Sequence, residues 1–173
     1  MQCTKAIVML FLIALFSVQP ATAAVGPQQA GQPQSAAVSS LAVTVRIEGG
    51  GAAKSLVKNL RVFLCPAPAA DDIRAVRKTG ALIAQQSGPY TAMLSDLVFM
   101  TGRAERAAVR ELATDAQGRC TFEQIEPGAY VLFAGCRGER GAGYWLLPVT
   151  LTKDDTTRVT LSSKQFTEYA ADR

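Results

Sequence analysis

The 173-residue chain contains no histidine, and that absence limits its chemistry more than any residue it does contain. Without an imidazole there is no Ser-His-Asp triad, no Cys-His pair and no histidine-bearing zinc site, so the common hydrolase constellations are excluded. No catalytic residue, cofactor site or metal site is expected. Asp115 and the pair Asp154 and Asp155 could in principle hold calcium, but each sits where a turn already calls for Asp, and the ligand spacing of a calcium loop is missing. Cysteine is the remaining reactive chemistry. Cys3 precedes an apolar run, which leaves Cys65, Cys120 and Cys136. In an oxidising compartment an odd number means one pair and one leftover. Cys65 is the candidate free thiol, with Arg61 as a weak aid to its ionisation. Tyr90 and Tyr144 are placed for surface contacts, and Arg103, Arg106 and Arg110 would share a face if their segment were helical.

Those residues sit in a chain that reads as exported. Lys5 precedes an apolar run from Ala6 to Val18, and the small residues Ala21-Thr22-Ala23 follow it. This is the pattern of a secretory signal peptide over residues 1–23, too short to span a bilayer as a helix. An uncleaved anchor is the other reading. Removing 23 of 173 residues leaves 150, enough for one domain with a core. The formal charge of +4 becomes +3 without Lys5 and is spread along the chain, so no nucleic-acid partner is implied. The expected location is periplasmic or extracellular, with membrane contact only through the signal peptide.

Residues 24–40 are Gln, Pro, Gly, Ala, Val and Ser without charge or periodicity, a flexible linker. From Leu41 the chain alternates. Leu41, Val43, Val45 and Ile47 line one face of a first strand, and Leu60, Val62 and Leu64 one face of a second whose other face, with Phe63 and Cys65, is unusually apolar. Residues 67–110 change texture to a helical insertion, with Asp71 and Asp72 suited to a first turn and Arg77 and Lys78 coming later. Gly88-Pro89 breaks it. A second helix from Tyr90 to about Met100 would place Leu94, Leu97 and Val98 on one side and end at Thr101-Gly102.

The most legible stretch runs from Thr114 to Cys136, as turn, strand, turn, strand. Asp115 and Gly118 bracket the first reversal, and Glu126-Pro127-Gly128 the second, with Gly128 suited to positive φ. Cys120 and Phe122 share a face, as do Tyr130, Leu132, Ala134 and Cys136. Further on, Trp145, Leu147, Val149 and Leu151 form the core-facing set, which argues against Trp145 as a sugar platform, while Pro148 suggests an edge or bulge. Val159 and Leu161 mark a last strand, and residues 164–173 read as a polar tail. About seven short strands with regular turns favour a β-sandwich over a barrel.

The segment TDAQGRCTFEQIEPGAYVLFA resembles the TDxxGxFxFxxLxPGxYxLxA pattern of carboxypeptidase regulatory-like domains, the transthyretin-like and collagen-binding B-type sandwich group. Leu41 to Pro66 and Arg110 to Ser163 support the likeness. The fold so implied is mainly β, a seven-stranded Greek-key β-sandwich of the prealbumin type over residues 41–163, with the helical insertion between the second and third strands. The insertion departs from the family pattern. In such a Greek key Cys120 opens one strand and Cys136 closes the next, both pointing inward, so a Cys120–Cys136 disulfide is expected, with two buried free thiols as the other reading. Cys65 would be covered by the insertion, paired between chains, or reactive. Modules of this kind are mostly non-catalytic and serve protein or carbohydrate binding, adhesion or support of a neighbouring domain. The expected function is therefore an exported, non-enzymatic binding or cell-envelope scaffolding module for an unknown protein or carbohydrate. The alternative is a small thiol-dependent enzyme or redox protein using Cys65.

Overall fold

The structure, a computed structural model, describes residues 38–47, 57–138 and 141–172. The signal sequence, most of the linker, the Gly49-Gly50-Gly51 turn and the pair Glu139 and Arg140 lie outside the described residues.

Val131 to Ala134 form an unbroken buried run, the signature of a strand covered on both faces. That run lies in the long strand here labelled β5, Gly128–Gly138, which pairs antiparallel with β6, Gly141–Leu151, along its whole length from Gly128 opposite Leu151 to Gly138 opposite Gly141. With β2 (Arg61–Pro66), β3 (Arg110–Ala113) and β8 (Glu168–Ala171) they make a five-stranded sheet in the order β3-β2-β5-β6-β8. A three-stranded sheet, β4-β1-β7, comprises β4 (Arg119–Ile125), β1 (Ser39–Arg46) and β7 (Thr156–Ser162). β1 runs antiparallel to β4 and parallel to β7.

One core lies between the sheets. Leu41, Val43, Val45, Phe122 and Leu161 from the smaller sheet meet Val62, Leu64, Leu132, Ala134, Trp145 and Leu151 from the larger. Parity along each strand selects these residues, as side chains alternate faces. The Trp145 indole nitrogen donates to the Ser162 carbonyl at 2.8 Å, linking β6 to the end of β7.

A second core covers the outer face of the larger sheet. Phe63, Cys65, Val131, Phe133, Tyr144 and Leu146 pack against two helices, α1 (Ala69–Arg74) and α2 (Arg77–Ala107), which follow β2 in the chain. The helices supply Ile73, Met93, Leu97, Met100 and Ala104, and the junction between them Val76. The apolar outer face of β2 is thus explained by a covering layer. α2 is interrupted at Gly88, whose φ of +83° is reached easily only by glycine, with Pro89 next.

Several expectations are corrected. The described residues hold eight strands rather than seven, because residues 164–173, read as a tail, contain β8, which pairs with Gly141 to Tyr144 of β6. The linker ends earlier than Ser40: Ser39 is already in β1, buried, with its hydroxyl donating to the Ile125 carbonyl at 2.8 Å. The helix does not stop at Gly102 but continues to Ala107, since one glycine lowers helix propensity by only about 1 kcal/mol and the packing of Ala104 offsets it. Gly128 starts β5 without positive φ. Pro148, by contrast, lies beyond Tyr144, the last β6 residue paired with β8, so its missing N–H breaks no ladder on that side.

Candidate interaction surface

Leu97-Val98-Phe99-Met100 places four apolar residues in succession on α2. At about 100° per residue they cannot share one helix face. The stripe at 93, 97, 100 and 104 faces the sheet and is buried. Val98 and Phe99 therefore point outward, 71% and 55% exposed. Val109, just past the helix end, is 50% exposed. Around them the acidic groups are already engaged. Arg103 pairs with Asp72 across the two helices, and Arg61 of β2 reaches Glu105 at 3.0 Å and Glu111 at 2.9 Å. Arg106, exposed in the last helical turn, has no ion pair among the described residues. Its charge suits the negative end of the helix dipole. Among the described residues, the outer helix face thus combines two large apolar side chains with a cation that has no ion pair.

The residues singled out in the sequence are dispersed. Tyr144 is a correction: it is 1% exposed, its ring 6.2 Å from Phe133 and its hydroxyl donating to Glu168 at 3.2 Å. It belongs to the face of β6 that the helices cover, which parity alone marked as outer. Tyr90 is half-buried against the same core. Arg103 and Arg106 lie three residues apart on α2, whereas Arg110 starts β3 and does not share their helix. Asp115 and Asp155 serve turns. The Asp115 carboxylate accepts from the amides of Gln117 and Arg119, both at 2.8 Å, and that of Asp155 accepts from Thr156 N at 2.7 Å. Among the described residues no group of three His, Cys, Asp or Glu side chains could hold a metal ion.

Among the described residues, Cys65, Cys120 and Cys136 are free thiols. The expected Cys120–Cys136 bridge is not formed: Cys120 stands opposite Val43 in one sheet and Cys136 opposite Gly143 in the other. Cys65 is fully buried beneath α2, its thiol directed at the Ala104 carbonyl at 3.5 Å. Burial pushes the Cys65 thiol up to about 11, opposite to the shift a nucleophile needs.

Grouping Val98 with Leu94 and Leu97 on one side of the helix hides the exposed Val98 and Phe99 pair. The run of four apolar residues was the available signal, because a helix can bury only part of it.

No protein-family model and no curated protein matches the sequence. Solved structures resemble the fold distantly. A minor pilin of Streptococcus agalactiae is 15% identical with a TM-score of 0.41, covering 73% of this chain and 44% of its own. A Pseudomonas aeruginosa protein proposed to bind carbohydrate is 14% identical with a TM-score of 0.41, covering 75% of this chain and 90% of its own. The pilus backbone protein of Streptococcus pneumoniae is 17% identical with a TM-score of 0.33, covering 71% of this chain and 40% of its own. This chain spans less than half the length of both pilus proteins.

Proposed function

We propose that this chain is an exported, non-catalytic β-sandwich module, of the carboxypeptidase regulatory-like kind, that docks a protein of the cell envelope on the outer face of α2. Export rests on Lys5, the apolar run Ala6 to Val18 and the small residues Ala21-Thr22-Ala23. The observation that carries the docking role is the exposure of Val98 and Phe99, 71% and 55%, side by side on a helix whose opposite stripe, Met93, Leu97, Met100 and Ala104, is buried in the core. Large apolar side chains next to a free arginine are the composition of interface centres. A thiol-dependent activity at Cys65 loses its support, because the sulfur is enclosed and its ionisation suppressed.

Photo-crosslinking in cells tests the reading. A benzophenone side chain in place of Phe99 is expected to give a discrete adduct, and one in place of the exposed Glu123 on β4 is not. Identical patterns from both positions, or no adduct from position 99, would overturn it.

A further inference from the structure

Three aromatic rings stand in a row at the β8 edge of the larger sheet, on the face opposite the one that α2 covers. Trp145, the chain's sole tryptophan, is buried. Phe166 stacks on it with ring centroids 4.2 Å apart and planes 27° apart, and Tyr169 stacks on Phe166 at 5.5 Å and 20°. The row needs a bare floor. A Cβ at Gly143 would come within 3.0 Å of the Phe166 ring, and one at Gly141 within 2.5 Å of the Tyr169 ring. Two glycines inside a strand cost conformational entropy, and here the space they leave is filled by these rings together with the β8 carbonyls of Glu168 and Ala170. The inner end of the row completes the core. The outer end does not, for Tyr169 remains 49% exposed.

We infer that the Tyr169 end of this row is a subsite for a neutral oligosaccharide. The rings are stacked with nearly parallel planes and are anchored by buried Trp145, so the terminal ring is presented with little rotamer freedom left to lose on binding. An aromatic face carries partial negative charge, which attracts the polarised C–H bonds on the flat side of a pyranose ring. Sugar hydroxyls need polar neighbours, and the segment joining β7 to β8 carries exposed Lys164 and Gln165, with exposed Thr167 beside them, whose hydroxyl accepts from Leu146 N at 2.8 Å and keeps its own proton to donate. The inference rests on the reading that this is a binding module but uses a surface separate from Phe99.

The test is calorimetric titration of the purified exported protein with cellotetraose, maltotetraose and chitotetraose, and with decaproline, which also stacks on aromatic rings. At least one tetrasaccharide is expected to bind in the millimolar range or tighter. Tyr169→Ala is expected to weaken it at least tenfold, Tyr169→Trp to retain it, and Phe99→Ser to leave it unchanged. Binding of decaproline alone, failure of all three sugars, or sugar binding that survives Tyr169→Ala would overturn the inference. Loss of the crosslink at position 99 with sugar binding intact would instead count against the protein-docking role.

Discussion

The guanidinium of Arg61 lies 4.8 Å from the centre of the Phe63 ring, two residues along β2. From there it bonds Glu111 on the neighbouring strand and Glu105 on α2. One side chain therefore caps a buried ring and ties the helical layer to the sheet edge. The Arg61 hydrogen bond, with its charge in support, holds the Glu111 carboxyl below its ordinary value of 4.5, against a smaller opposing effect of burial.

A lowered carboxylate pKa means the contribution is fully present above the unfolded value near 4.5 and is lost as pH falls through the folded one. Both partners are more than a third exposed, so solvent screens the pair and it contributes only about 0.2–1 kcal/mol. Arg61→Met keeps much of the cover over Phe63 but removes the charge. It is expected to lower stability at pH 7 by that amount, with the gap to the parent narrowing below pH 4. Chemical denaturation across pH 3–7 checks this. A gap of constant size would assign the effect to packing.

Tyr144 gives a sharper contrast, because a surface residue and a buried one behave differently on truncation. With its ring enclosed and its hydroxyl donating to Glu168, Tyr144→Phe is expected to cost about 0.5–1.5 kcal/mol for the lost hydrogen bond. Tyr144→Ala should cost about 3–5 kcal/mol, as for other large buried rings. A surface tyrosine would lose under ~0.5 kcal/mol. Urea melts of the two variants decide, and near-wild-type stability of Tyr144→Ala would return the residue to the surface.

The thiols make a kinetic prediction. Burial pushes Cys65, Cys120 and Cys136 each up to about 11, with the Asp115 charge adding to the effect at Cys120 and the Gly143 backbone opposing it at Cys136. Each raised pKa contributes stability that is present below the unfolded value near 9.0 and lost as pH rises through about 11. At pH 8 buried Cys65 and Cys136 should therefore react with iodoacetamide no faster than the fold opens, half-buried Cys120 should react slowly but ahead of them, and all three should label quickly in guanidinium. A thiol that reacts within seconds in the folded state would reinstate a reactive cysteine. Mass mapping that found Cys120 joined to Cys136 would contradict the free thiols directly.

What could be read from the sequence was local chemistry. Asp115 and Gly118 announced their turn because an Asp side chain can bond the amides that follow it and because Gly118, at φ +75°, takes a conformation in which a Cβ would meet the Val45 carbonyl. Alternation in β1, β2 and β5 gave the inter-sheet core for the same reason. Elements fixed by distant contacts were illegible. Glu168–Ala171 has no alternation of its own, and β8 is positioned by pairing with β6 and by the stack of Phe166 and Tyr169 on Trp145. Parity could mark Tyr144 as facing away from one core but not reveal the second core formed there by α2. The apolar run at Leu97 to Met100 held its surplus in plain view. The missing step was that a helix face can absorb only part of it.

Gly102 joins stability to the proposed docking role. It lies inside α2 without positive φ, and a Cβ there would meet only the Arg106 guanidinium, at 3.6 Å. Nothing in the fold requires its missing side chain, yet glycine in a helix interior costs about 0.5–1 kcal/mol relative to alanine. Gly102→Ala is therefore expected to stabilise the protein by about that amount and to raise Tm by a few degrees. Gly102 follows Phe99 by three residues, which places both on one side of the helix. If a partner backbone approaches closely there, the added methyl should weaken the crosslink from position 99 even as the fold gains stability. Thermal melts and crosslinking of the same variant separate the two effects. A destabilised Gly102→Ala would show that the helix is strained at this point, and an unchanged crosslink would place the partner's contact at the Val98 side.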